Sequence, residues 1–394
     1  MKIKKLLALL LCLALLLTTV LGCNQPNDEI PDDENGNHDN VDITLPDDNE
    51  QDHFHGFVDF EAAITSFPPD TIMFSAGEYS ITWADFYVFL FNATSSLLYT
   101  YGGPLEWSEF FEPDKTLAET VLEYATQEAL SFVAFMYGAY SNNFQMSDDD
   151  LKTFNEEMEK LFEMYGGREV LELTLRENGG FYNLEVFENL YKVEFNIGLL
   201  MNSLYGEDAA SLSDEEVASF AKENEFLMAM HILRLKSDEE GADPLGEAEE
   251  ILKQLQDQKG SDDFIEFFHD LMHEKSEDYG GLMSYPNGYL FVHKDMVEEF
   301  SDTTASLEIG ELSGIVETMY GYHIILRIPI DYDTVPSELS REGINRTLRQ
   351  EVALVNFDAL HTQWMESLNV VFSPEYNSLN FEEIFKWQEE DCDH

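Results

Sequence analysis

The sequence predicts an α+β protein: a mostly helical part interrupted by a compact unit of mixed strands and helices. Three observations predict it. Between about residues 57 and 225 the apolar residues recur at helical spacing. From Phe226 to Ile330 short runs with a period of two alternate with amphipathic stretches. From Pro336 to Glu366 helical spacing returns through Leu339, Ile344, Leu348, Val352, Val355, Leu360 and Trp364. A helix that long has no partner inside the small unit, so it is expected to pack back on the first helices. The α+β unit would then be an insertion.

The elements follow in order. MFSAGEYSITWADF, from Met73 to Phe86, reads as two short strands turning at Gly77, then a helix with Thr82 as N-cap and Asp85 three residues on. Its stripe continues through Phe89, Leu90, Ala93 and Leu97. A second helix runs roughly from Lys115 to Tyr140. A third opens at Ser147, with Asp148, Asp149 and Asp150 at the positive end of its dipole. Asn183 to Leu204 makes a fourth, and Ser213 with Glu216 caps a fifth. Aromatics such as Trp83, Phe86, Tyr87, Phe89, Phe110, Phe111, Phe132 and Phe135 crowd this part. They are read first as a helical core, and otherwise as a concave apolar surface for unfolded chains.

In the second part, FLMAMHILRL (Phe226–Leu235) is a strand. Asp243 to Gly260 and Asp262 to Asp278 are helices. GYLFV is a short strand, DMVEEFSD a helical turn or two, and ELSGIVET and GYHIILRI are two more strands. A short apolar run, Val370-Val371-Phe372, and an acidic tail close the chain.

The first residues, MKIKKLLALLLCLALLLTTVLGC, carry Lys2, Lys4 and Lys5 ahead of an apolar run from Leu6 to Val20. The run fits a secretory signal better than a membrane span of roughly 20 apolar residues. Val20-Leu21-Gly22-Cys23 resembles a lipobox, so residues 1–22 are read as a leader and Cys23 as the lipidated first residue of an extracytoplasmic, membrane-anchored protein. Residues 23–56, rich in Asp, Asn, Glu and Pro, bury too little to fold and read as an acidic tether, with His53 and His55 as bystanders. With Cys23 acylated and Cys12 in the leader, Cys392 has no intramolecular disulfide partner. The formal net charge is −58, from 79 Asp+Glu against 21 Lys+Arg, which argues against nucleic acid and against a basic membrane-binding patch.

Five segments carry a resemblance. MHIL (Met230–Leu233), KSED (Lys275–Asp278), MVEEF (Met296–Phe300), LEIGELSGIVET (Leu307–Thr318) and YGYHIILRI (Tyr320–Ile328) match, in order, the motifs of parvulin-type peptidyl-prolyl isomerases. With the lipobox and flanking helices, the whole chain resembles the PrsA-type foldase lipoproteins, and the helical part resembles, more weakly, the chaperone domain of PrsA and SurA proteins. The resemblance implies five regions: leader 1–22, tether 23–56, helical chaperone-like domain 57–225, parvulin domain 226–330, and C-terminal helix and tail 331–394. For the parvulin domain it implies a four-stranded antiparallel sheet with surrounding helices. It implies a membrane-anchored foldase acting on X–Pro bonds of unfolded, secreted polypeptides without cofactor or metal, on the outer face of the cell membrane. The alternative is a holdase whose parvulin unit has lost turnover.

The same resemblance implies the site residues. His231 and His323 would face each other across the sheet, Asp278 would stand where the family has Cys or Asp, and Thr318 would join that network. Met296 and Phe300 would grip the proline ring, Leu290 or Phe291 would complete the wall, and Tyr320, where some members have a small residue, would narrow it. YGGLMSYPNGYLF departs from the family's Gly-Gly-Asp-Leu-Gly stretch. HDLMH (His269–His273) has the His i, i+4 spacing of a zinc helix, but Asp270 stands where a metalloprotease needs Glu and no third ligand is evident, so these read as surface histidines.

Overall fold

The computed structural model describes residues 56–101 and 103–389. The leader, Cys23, the tether as far as His55, and Cys392 lie outside the described residues, while Gly56, taken with the tether, begins a strand. The described residues form two compact units, the first holding those up to Leu200 and again from Asp358, the second Met201–Phe357.

The first unit is built on long helices, Trp83–Tyr101 and Leu117–Ser141 foremost. Side-chain chemistry sets where helices begin. Thr116 and Glu119 form a reciprocal capping box, as do Ser147 and Asp150 ahead of Asp148–Met164. The core is aromatic: Trp83, Phe86, Tyr87, Phe74, Phe181, Phe187 and Phe385 are fully buried. Their polar atoms are satisfied, the Trp83 indole donating to Ile64 O at 2.6 Å and the Tyr87 hydroxyl to Phe60 O at 3.0 Å. Phe110 and Phe111, on a small hairpin, stay exposed. The end of the chain closes this unit through backbone pairing. Val370–Phe372 adds to the strands Ile72–Ala76 and Tyr79–Thr82, and Trp387–Glu389 pairs with Gly56–Val58.

Two features differ from expectation here. Arg168–Gly179 forms a helix that the sequence does not announce, because Gly167 occupies its N-cap and offers no side chain. The long C-terminal helix is two helices, Ser337–Arg341 and Leu348–Ser367. Gly343, at φ +75°, takes the left-handed conformation that ends the first. Thr334 O and Tyr332 O then accept the N–H groups of Leu348 and Arg349, so the second begins with its donors already used.

Besides Ser337–Arg341 and the start of Leu348–Ser367, the second unit contains α1 (Asp214–Glu223), β1 (Leu227–Leu235), α2 (Pro244–Gln258), α3 (Phe264–Lys275), α4 (Tyr279–Ser284), β2 (Tyr289–Phe291), α5 (Glu298–Ser306), β3 (Leu312–Glu317) and β4 (Gly321–Arg327). The sheet is four-stranded and antiparallel, in the order β2-β1-β4-β3. One face, with Met228, Met230, Ile232, Leu290, Ile324 and Leu326, packs on α2 and α3 through Ile251, Leu255, Phe264 and Phe268. Val217, Ala221, Leu348, Val352 and Ala353 join the same core, which is why the unit extends beyond 226–330 at both ends. The other face carries the smaller cluster Leu227, Ala229, Phe291, Phe300, Leu307 and Ile325, covered by α5.

One packing contact in the first unit is open to test. Gly138 lies inside a helix, where alanine is favoured by about 1 kcal/mol, yet a methyl group there would run into the ring of Trp364. Gly138→Ala should therefore destabilise the protein by about 1–3 kcal/mol in denaturant unfolding. A stabilised variant would show that the indole does not sit there.

Candidate active site

Antiparallel pairing of β1 with β4 sets Leu233 opposite His323 and His231 opposite Ile325. Side chains alternate along each strand, so the two histidines share one face and stand one diagonal step apart. Their Nδ1 atoms are 3.0 Å apart, and the rings lie nearly parallel, at 19° with centroids 5.2 Å apart. Both rings are buried, at 6% and 4% exposure.

The row continues at both ends. His231 Nε2 lies 2.9 Å from Asp278 Oδ2, and Thr318 Oγ1 lies 2.8 Å from His323 Nε2. Asp278 is placed by a loop that takes up the edge of β1 left open beyond β2. Ser276 Oγ accepts the N–H of Leu233, and Glu277 N–H donates to Leu233 O. Asp278 is also the N-cap of α4, its Oδ1 accepting from Gly281 N–H at 3.0 Å. Thr318 is held in turn by the backbone N–H of Tyr320.

The proton pattern follows from counting donors. A carboxylate only accepts, so His231 Nε2 carries a hydrogen toward Asp278. Of the two facing Nδ1 atoms, one donates and one accepts. If His323 Nδ1–H donates, His323 Nε2 accepts the Thr318 hydroxyl while Thr318 Oγ1 accepts from Tyr320 N–H, and every group is satisfied. The environment agrees. The hydrogen bond from His231, then those from Tyr289 and Gly281, hold the Asp278 carboxyl well below the usual carboxylate range despite its partial burial. Burial, reinforced by His231, pulls His323 down to about 3.

The apolar side of the site is Phe300. Its ring meets His231 edge-on at 5.2 Å and His323 at 5.6 Å, and packs on Phe291 at 5.7 Å. Met296 and Val297 border this cluster, half-buried. Leu290, by contrast, points to the opposite face among Met228 and Met230, so it takes no part in this wall: in strand β2 only every second residue can face the histidines. Tyr320 is 55% exposed at the turn into β4, contributing its backbone N–H rather than a filled pocket.

Two residues here went unread in the sequence. Tyr289 donates its hydroxyl to Asp278 Oδ2 at 2.6 Å, and Gly281 gives that hydroxyl room. Neither carries a local signal, since both act through contacts that only the fold creates. His269 and His273 sit on α3 with rings 4.5 Å apart, and His273 Nε2–H donates to Pro286 O. Among the described residues no group of three His, Cys, Asp or Glu is placed to hold a metal ion.

Residues 231–328 match the family model of the PPIC-type peptidyl-prolyl isomerase (rotamase) domain. The chain is similar to the foldase protein PrsA of Staphylococcus aureus, 24% identical over 247 residues, covering 61% of this chain and 73% of the relative. Among solved structures it is similar to PrsA from Bacillus subtilis, at 20% identity and TM-score 0.24 over 66% of this chain and 91% of the other. It is also similar to the peptidylprolyl isomerase PrsA from Bacillus cereus, at 20% identity and TM-score 0.30 over 71% and 100%. The segment holding both histidines is thus a PPIC-type peptidyl-prolyl isomerase domain, and the chain that carries it is similar to the PrsA foldase proteins.

Proposed function

We propose that this foldase is anchored by lipid at Cys23 on the outer face of the cell membrane and isomerises X–Pro bonds in secreted polypeptides as they fold. Its charge of −58 makes nucleic acid an unsuitable partner. On this reading His231, Asp278 and His323 form the polar side of the catalytic site, with Thr318 closing the row. Met296, Phe300 and Phe291 form the apolar side that receives the proline ring, and Tyr320 borders the entrance. The observation that carries the reading is the position of Phe300, edge-on to both imidazoles, which puts an apolar wall and a polar row against each other.

The chemistry matches such a site. Rotation about an X–Pro amide breaks no bond but crosses a barrier of about 18–20 kcal/mol, most of it lost resonance. Water bound to the carbonyl strengthens that resonance. Seating the ring against Phe300 and Met296 removes water from one side, and fixed dipoles then stabilise the twisted amide better than the planar one. Neither a nucleophile nor a proton transfer is required. The helical unit would bind the unfolded client chain.

In the full chain, Met296→Ala and Asp278→Ala should each lower kcat/KM for an X–Pro peptide about tenfold or more, with circular dichroism unchanged. If both variants keep full turnover, the pocket is elsewhere. If the wild type does not accelerate isomerisation but still suppresses aggregation of a reduced client, the chain is a holdase.

The proton balance gives a stability test. His323 titrates near 3 in the folded protein and near 6.5 when unfolded, so below about pH 6.5 the unfolded state binds more protons. Its contribution is present in full above that value and is lost as pH falls toward about 3. Asp278, also depressed, adds to this only where ordinary carboxylates begin to protonate, below about pH 5. Between about pH 6.5 and 5 the second unit should lose stability, and His323→Gln should flatten that slope. An unchanged slope in the variant would mean that His323 is not held neutral.

A further inference from the structure

Asp278 accepts more than the row of imidazoles explains. Its Oδ2 takes the Nε2–H of His231 at 2.9 Å and also the hydroxyl of Tyr289 at 2.6 Å, while Oδ1 takes Gly281 N–H at 3.0 Å. These donors come from β1, β2 and α4, three separate segments. The Tyr289 ring is itself held, packed on Tyr285 with centroids 4.5 Å apart. Burial and the neighbouring Asp278 carboxylate push its phenol far above the usual range, so it remains a donor at every working pH.

Gly281 shows that the arrangement needs space. It lies within α4, where alanine is the better helix former by about 1 kcal/mol. It is not among the residues with positive φ, so its backbone does not call for glycine. A methyl group there would collide with both the Tyr289 hydroxyl and Asp278 Oδ2. The missing side chain is the room in which carboxylate and phenol meet.

We propose that Tyr289 is a positioning residue for the isomerase reaction, its phenol pinning Asp278 Oδ2 against His231, with Gly281 kept bare to admit it. The Asp278 side chain is 25% exposed, so a single donor would leave water to compete for Oδ2 and let the carboxylate turn away. The second donor fixes the carboxylate, which fixes the Nε2–H of His231 and through it the direction of the whole row. The inference rests on the isomerase reading of this site.

The test uses the full chain and an X–Pro peptide followed by NMR exchange, with kcat and KM measured separately. Tyr289→Phe should lower kcat about tenfold, the value of one hydrogen bond to a charged group, and leave KM within about twofold. Gly281→Ala should do the same by a different route, and the double variant should be no worse than the weaker single one. Nitrogen-15 imidazole spectra should show faster water exchange at His231 Nε2–H in Tyr289→Phe. Wild-type kcat with unchanged exchange overturns the inference, as does a rise in KM alone, which would make Tyr289 a substrate contact. Should Gly281→Ala not fold, Tyr289→Phe decides by itself. Asp278→Ala separates the two levels: if it loses turnover while Tyr289→Phe does not, only this inference fails. If Asp278→Ala keeps full turnover, the catalytic role proposed for Asp278 fails and this inference with it.

Discussion

Two buried imidazoles share one hydrogen between their Nδ1 atoms, 3.0 Å apart, and the rest of the site is arranged around that contact. It exists because β1 and β4 pair in a single register. A slip of one residue would turn one ring to the opposite face, into the core occupied by Met230 and Ile324. Among the described residues, the further hydrogen-bond partners of the two rings are Asp278 at one end and Thr318 at the other, so each link constrains the next. Phe300 lies edge-on to both rings and excludes water from them, which makes an unmade hydrogen bond there costly.

Around this buried pair, charge is kept engaged. The chain is strongly acidic, yet the cations flanking the row are both occupied. Arg234 pairs with Glu247 and Glu277, and Lys236 pairs with Glu317 and donates to Thr318 O. Asp278, at one end of the row, is held as a carboxylate by the hydrogen bond from His231 first, and then by those from Tyr289 and Gly281. Such a site suits a reaction that moves no proton and forms no covalent bond, in which catalysis lies in excluding water and holding dipoles still.

Much of this was legible in the sequence because strands keep a period of two. The alternation from Tyr320 to Arg327 placed His323 and Ile325 together and Ile324 and Leu326 opposite, and the sheet keeps that division. The same rule, applied to Leu290 and Phe291, allows only one of them on the histidine face, and the pairing of Leu290 with Met228 selects Phe291. Helix starts marked by Thr82, Ser147 and Ser213 were readable because their caps are local. What escaped depends on contacts distant in sequence or on a conformation that no pattern encodes. Arg168–Gly179 begins without a capping side chain, and the break at Gly343 sits inside an unbroken apolar period. The limits of the second unit depend on Val217 and Val352 choosing its core. Tyr289 meets Asp278 only once β2 is paired with β1.

The shared hydrogen can be observed directly. In the nitrogen-15-labelled protein at neutral pH, a scalar coupling across the hydrogen bond should connect His231 Nδ1 with His323 Nδ1, with His231 protonated at Nε2 and the bridging hydrogen protected from exchange. Absence of that coupling, with both Nδ1 atoms behaving as independent and solvent-exchanging sites, would contradict the account at its base.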